Sequence, residues 1–206
     1  MKILWAEAAL AVALLSGCAS VTTGVSASGK PGGFAAGGER SYEVARTDAQ
    51  SANAGYRKVE ALVRDELARR GLGEQPGGHA RYRLTIAYAT QPAAVALATA
   101  HCGGEQAPCL DVDGPAPFAL PFAGTVYRHV LTLRFIDRKS GAEAYRVSAA
   151  VKDRRPDALQ AAPTLVRSAL AQVPFGAAGG WLVKTKKDDA GGMPGVVSVT
   201  PADAPH

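Results

Sequence analysis

The stretch TVYRHVLTLRFIDRKSGAEAYRVSAAVK, residues 125–152, limits the possible folds more than any other part of the chain. It consists of two runs of alternation joined by a short polar loop. In the first, Tyr127, Leu131, Leu133 and Phe135 fall on one side, with Arg128, Thr132 and Arg134 on the other. In the second, Tyr145, Val147, Ala149 and Val151 share a side. Successive side chains of a strand point to opposite faces, so each run is a strand with one face for a core. DRKSG supplies the turn, because Gly141 can take the positive φ that closes a hairpin.

Two further segments add strands. RYRLTIAYA (81–89) places Tyr82, Leu84, Ile86 and Tyr88 on one face and Arg81, Arg83 and Thr85 on the other, and SYEVA before it offers Tyr42 and Val44. Between these strands Tyr56, Val59, Leu62, Val63 and Leu67 recur at helical spacing, opposite Arg57, Lys58, Arg64, Asp65 and Arg69. Thr47 and Gln50 have the spacing of a capping box, with Asp48 or Ser51 as alternative caps, and Gly71 stands where such a helix ends. A stripe of this kind is expected to pack on a sheet rather than to bind lipid. A second helical pattern runs through Leu159, Ala162, Val166, Ala169, Leu170 and Val173; Pro163 either kinks it or lies near its start, and Pro174 stops it. The order strand, helix, strand, hairpin, helix predicts an α+β fold. We expect a two-layer sandwich, its sheet mainly antiparallel or mixed, with two helices on one face.

The amino terminus carries a different kind of signal. Residues 8–15 are uncharged and apolar, too short a run for a permanent span, which needs about 20 residues. They fit the core of a secretion signal, although Lys2 is its one basic residue and Glu7 interrupts it. Leu15, Ser16, Gly17 and Cys18 resemble a bacterial lipobox: an aliphatic residue, two small ones, then cysteine. Small side chains let the extended chain enter a protease cleft within the membrane, and the sulfur can take a diacylglyceryl group as a thioether. The resemblance implies cleavage by signal peptidase II before Cys18 and acylation of the new amine, palmitate being the usual chain type. Each buried methylene is worth about 0.8 kcal/mol, so two or three chains hold a protein in place. Ala19, rather than aspartate, follows the cysteine, which implies the periplasmic face of the outer membrane.

These signals divide the chain into a signal peptide over 1–17, lipidated Cys18 with a flexible Gly/Ser-rich tether over 18–40, and an α/β domain over 41–176. An inserted loop occupies 92–124, and a mobile tail rich in Gly, Pro and Asp follows over 177–206. VTTGVSAS within the tether offers an alternative, an edge strand, because β-branched residues are frequent there.

Read together, the lipobox, the glycine-rich tether, Tyr42-Glu43-Val44, ARRGL (68–72), RYRLTIAY (81–88), IDRKSG (136–141) and LAQVPFG (170–176) resemble the proteobacterial lipoproteins of domain of unknown function 4136. The resemblance covers about residues 40–176, with the 92–124 insertion and the basic tail as departures. It implies periplasmic, membrane-anchored proteins and no catalytic residues.

In the insertion, Cys102 and Cys109 form an even pair once Cys18 is lipidated, and an oxidising periplasm would let them join in a disulfide. Closing so short a loop is worth roughly 2–3 kcal/mol. A metal site drawn from His101, Cys102, Cys109, Asp111 and Asp113 is the rival, disfavoured by awkward adjacent ligation and an incomplete calcium-loop pattern. No metal or other cofactor is expected. Net charge is +5 but diffuse, with no basic-aromatic motif, so no nucleic-acid partner is expected. Catalytic fingerprints are absent, and the histidines at 79, 101, 129 and 206 are isolated; His129, on the apolar side of its strand, is expected as a hydrogen-bonded core or sheet-edge histidine, with a buried general base as the alternative. The chain therefore reads as a non-catalytic lipoprotein that binds or scaffolds an envelope protein or cell-wall partner. Candidate contacts are the 92–124 loop and the arginine-bearing strand face of Arg81, Arg83, Arg128 and Arg134. The alternatives are an envelope enzyme using His101 with Asp111 or Asp113, and a purely structural envelope-integrity protein.

Overall fold

The computed structural model describes residues 20–29, 40–93, 99–100, 109–110, 124–173, 178–188 and 191–202. Its framework is an eight-stranded sheet built from β1 (Ser20–Gly29), β2 (Ser41–Ala45), β3 (Gly73–Glu74), β4 (Tyr82–Pro92), β7 (Tyr127–Asp137), β8 (Glu143–Asp153), β9 (Gly179–Lys186) and β10 (Gly195–Pro201). The spatial order is β10-β9-β1-β8-β7-β4-β2-β3. All neighbours are antiparallel except β2, which runs parallel to β3 and β4. Two short strands inside the insertion, β5 (Thr99–Ala100) and β6 (Cys109–Leu110), pair separately. The helices are α1 (Asp48–Ala52), α2 (Ala54–Arg69) and α3 (Ala158–Ala169).

The alternation seen in the sequence sets the register. Leu84, Phe135 and Tyr145 lie in one cross-strand row, and Ile86, Leu133 and Val147 in the next. A third row runs Tyr88, Leu131, Ala149, Val25 and Trp181. Val59, Val63 and Leu67 of α2, with Leu165, Val166 and Ala169 of α3, join these side chains in one buried cluster, with Tyr88 partly buried against it. Each fully buried Val, Leu or Phe contributes about 1.5–3 kcal/mol relative to exposure, so this face holds the sandwich together.

The helix ends follow their sequence signals, with one refinement. Thr47 accepts a hydrogen bond from Gln50 N while the Gln50 side chain accepts one from Thr47 N, completing the capping box. That box caps only the five-residue α1. Asn53 is extended and begins α2 by accepting from Tyr56 N at 3.0 Å, so one expected helix is two. Gly71, at φ +77°, closes α2: Leu72 N donates to Leu67 O and Gly71 N to Ala68 O, both at 3.0 Å. Asp157 caps α3, which runs from Ala158 through Pro163 rather than starting at the proline. The DRKSG hairpin forms as expected, with Gly141 at φ +69°.

Two boundary expectations are overturned. Residues 20–29 are not a tether, nor an edge strand: β1 is interior, paired with β9 from Ser20 to Ala27 on one side and with β8 from Gly24 to Gly29 on the other. Thr23 and Val25 point into the core while Thr22, Gly24 and Ser26 are exposed, so the small residues that suggested flexibility occupy the outward face. Nor are the described residues of 177–206 a mobile tail. Trp181, Val183 and Thr185 are buried from β9, and β10 completes that edge of the sheet. The folded domain therefore reaches from Ser20 to Pro201 in its described parts.

Candidate functional site

No described helix covers the sheet on the side away from α2 and α3. The middle of this open face carries mostly small and hydroxyl side chains, with Val130 and exposed Leu182 as its aliphatic members. Thr132, Ser148, Ser26 and Gly180 share one row, and Val130, Ala150, Gly24 and Leu182 share the next. Thr132 and Ser148 are joined through their hydroxyls at 3.0 Å. Charge sits toward the two ends, Arg128 and Arg134 being about 20 Å apart along β7 at roughly 3.3 Å per residue.

At the hairpin end most of the arginines meet carboxylates, Arg83 excepted. Arg134 meets Glu143 at 2.6 Å, and Arg146 meets the same carboxylate at 3.0 Å. Arg81 lies 3.6 Å from Asp137 and stacks over the Tyr82 ring, and Arg138 pairs with Glu43. Partial burial works against ionisation of Glu143, but the hydrogen bonds from Arg134 and Arg146 hold its carboxyl below the usual range. Asp137 is likewise lowered, first by the Ser140 amide, inside the turn it organises.

The opposite end differs. Arg128 stands directly across from exposed Lys152. Two residues beyond the Gly24–Ala150 pair are Thr22 and Lys152, and Thr22 pairs in turn with exposed Lys184. Among the described residues Arg128, Lys152 and Lys184 form no ion pair. The four predicted contact arginines are thus not one patch: Arg81, Arg83 and Arg134 lie toward the hairpin, and Arg128 lies at the far end. The insertion also leaves from that far end, where Pro92 pairs with Tyr127 and Ala93 N donates to Val126 O at 2.6 Å. On the helix side of the same end, a cavity of about 540 Å³ is lined by Val21, Val151, Ala161, Pro163, Thr185 and Pro194, among others.

Polar chemistry on the helix side is committed to holding elements together. His129 is fully buried, as its alternation predicted. Its Nδ1 lies 2.8 Å from Thr90 Oγ1, and its Nε2 faces two acceptors, Asp153 Oδ1 and the Arg155 carbonyl, each at 3.1 Å. Two acceptors at Nε2 require the proton there, and with both nitrogens engaged the imidazole is an internal tie. The sequence reading missed two buried carboxylates on α2. Glu60 takes a fork of two hydrogen bonds from Arg46, at 2.5 and 2.6 Å, and a third contact from Arg64. Glu66 gathers Arg69, Arg70 and Arg167. Glu60–Arg64 and Glu66–Arg70 are visible as i,i+4 pairs, but nothing local marks Arg46 or Arg167 as partners.

Burial also marks the tyrosines. It pushes the Tyr42 hydroxyl up to about 12, with Glu74 adding to the shift, and pushes the Tyr88 hydroxyl up to about 12 as well. A folded-state pKa above the unfolded value of 10.0 leaves stability whole below pH 10 and removes it as pH rises toward 12. Urea midpoints should therefore hold up to about pH 10 and fall steeply above it. Burial raises Tyr145 as well, so absorbance at 295 nm should show at least three tyrosines ionising only with unfolding; free titration of all six near pH 10 would contradict their burial.

Leu15, Ser16, Gly17 and Cys18 lie outside the described residues, as do His101, Cys102, Asp111 and Asp113; Cys109 is described through its backbone, opposite Ala100. The disulfide, the rival metal site and the alternative enzyme site therefore fall there. Among the described residues, no three His, Cys, Asp or Glu side chains cluster as metal ligands, and no helix is long and apolar enough to cross a membrane.

No protein-family model matches the chain, and no curated protein matches it in sequence. The resemblance to domain of unknown function 4136 does not become membership. Solved structures overlap it partially. The PelC dodecamer from Paraburkholderia phytofirmans is 15% identical over 72% of this chain and 95% of that one, with a TM-score of 0.42. A PDZ domain protein from Parabacteroides distasonis is 13% identical over 88% of this chain and 43% of that one, with a TM-score of 0.48. A chain from Caulobacter crescentus described as a lipoprotein is 17% identical over 65% of this chain and 82% of that one, with a TM-score of 0.30. At these levels none lends its assembly or partners to this protein.

Proposed function

We propose that the protein is a non-catalytic lipoprotein, anchored through Cys18 to the periplasmic face of the outer membrane, whose open sheet face holds another envelope component. The observation that carries this reading is the lipobox Leu15-Ser16-Gly17-Cys18 ending two residues before β1. An acyl anchor there sits beside the folded sheet instead of at the end of a long leash. Tethering confines the domain to a thin layer and raises its effective concentration toward envelope partners. The hydroxyl-lined middle of the open face, from Thr132 and Ser148 to Ser26, offers donors and acceptors to such a partner.

Replacing Cys18 with serine tests the anchor. The native product should begin at residue 18 with its mass raised by diacylglyceryl and acyl groups, and the Cys18→Ser chain should carry neither and leave the outer-membrane fraction. An unmodified thiol at residue 18 in the native product would end the reading. Photo-cross-linkers at Ser26 and Thr132 should then capture a discrete envelope partner in intact cells, with none captured from Lys58 on the outer side of α2. Equal yields from the two surfaces would remove the open face from the proposal.

A further inference from the structure

We infer that the end of the sheet at which β1 begins is a membrane-docking surface, and that Arg128, Lys152 and Lys184 seat it on anionic lipid headgroups. This rests on the anchor at Cys18 and adds to it an orientation and a lipid preference.

The geometry starts from chain length. Cys18 is two residues before Ser20, and two extended residues span at most about 7 Å. Wherever the acyl chains enter the bilayer, the first residue of β1 cannot stand far above it. Ser20 pairs with Lys186, and Thr22 pairs with Lys184. Lys152 lies on the next strand and Arg128 on the one beyond, across from Lys152. With strands about 4.8 Å apart, these cations spread over roughly 15 Å of the sheet end. The Debye length is about 8 Å at physiological ionic strength, so charges this close to a headgroup layer are felt.

Charge complementarity points the same way. Arg128, Lys152 and Lys184 project from the open face without an acidic partner among the described residues. The nearest carboxylate in sequence, Asp153, turns to the other face and is engaged by His129 and the Arg155 amide. At the hairpin end Glu43, Asp137 and Glu143 pair with Arg138, Arg81, Arg134 and Arg146, while Arg83 and Lys139 form no ion pair among the described residues. Both ends thus carry unpaired cations, and it is the anchor's short reach that selects the end at which β1 begins.

The experiment uses the mature chain from residue 18 with Cys18→Ser, which contains every described element but no acyl group. It is floated with vesicles of phosphatidylethanolamine containing one quarter phosphatidylglycerol, and with vesicles of phosphatidylcholine alone. Each cation near an anionic surface is worth roughly a fivefold gain in partitioning. The triple variant Arg128→Gln, Lys152→Gln, Lys184→Gln should therefore lose roughly 100-fold in binding to the anionic vesicles. Arg83→Gln with Lys139→Gln, at the hairpin end, should leave binding unchanged, and 0.5 M salt should abolish it. Equal flotation with both vesicle types, equal losses from the two variants, or binding to dextran sulfate without binding to the anionic vesicles would each overturn the inference. The mass of native Cys18 separates the two claims. An acylated residue 18 without anionic flotation sinks the stripe alone, whereas an unacylated residue 18 removes the anchor and this orientation together.

Discussion

Replacing Glu66 with alanine is expected to cost about 3–5 kcal/mol, a large share of the roughly 5–15 kcal/mol that holds a domain of this size. The carboxylate is 1% exposed on the buried side of α2, yet it is ionically satisfied. Arg70 Nε reaches it at 2.9 Å, Arg69 Nη1 at 2.8 Å, and Arg167 Nη1 spans both oxygens at 2.8 and 2.9 Å. Two of these guanidiniums continue outward: Arg70 donates to the Ala171 carbonyl after α3, and Arg167 donates to the Pro194 carbonyl before β10. One side chain thus ties α2, α3 and the carboxy-terminal strand. Without it, Arg70 and Arg167, only 19% and 23% exposed, would face each other unpaired. Urea denaturation measures the loss. Replacing the group together, Glu66→Leu with Arg70→Met and Arg167→Leu, should recover most of it, because the penalty lies in stranded charge rather than in missing attraction. Glu143→Ala is the contrast: its partners Arg134 and Arg146 are 46% and 47% exposed, and a loss below about 1 kcal/mol is expected. A similarly small loss from Glu66→Ala would show that the hub is incidental.

That hub also shows where the sequence stops being readable. The hairpin, β4 and the stripe of α2 were legible because period two and period 3.6 are local properties, and the capping box and Gly71 are local chemistry. Glu66 was not, because a carboxylate is buried only when a cation comes from elsewhere, and Arg167 lies 101 residues away. The same reasoning explains the strands at the two ends of the domain. SVTTGVSASG has the glycine and serine content of a linker, and GGWLVKTK opens on two glycines before only a short alternating run. They become strands because each supplies the other's ladder, and β8 supplies a second one to β1. At the candidate surface, alternation put Arg128 and Arg134 on one face of β7 correctly. It could not reveal that Glu143 answers one while Lys152 stands opposite the other, since that depends on register across β8.

Gly24→Pro distinguishes a leash from a strand. In a flexible tether, proline for glycine stiffens the folded and unfolded chains alike, so stability should hardly change. In β1, Gly24 pairs with Ala150 on one side and Leu182 on the other, so its amide belongs to an interior ladder. Proline there removes a hydrogen bond and pushes its ring toward a neighbouring strand, and a loss of about 3 kcal/mol or more is expected. Gly24→Thr provides the opposite arm. A Cβ at this position would meet only the Ala150 carbonyl, 3.9 Å away, and the open face has room for a β-branched side chain. Threonine should therefore raise stability by about 0.5–1 kcal/mol through lower chain entropy and better strand propensity. The pair of outcomes, proline destabilising and threonine stabilising, is what an interior strand demands; two near-zero values would return residues 20–29 to the tether. The consequence extends to the membrane. If β1 holds, two residues separate the anchor from a rigid sheet, and the proximity of Lys184 and Lys152 to the headgroups follows from chain length. If it frays, the domain gains roughly ten more residues of slack and the orientation is lost with the strand.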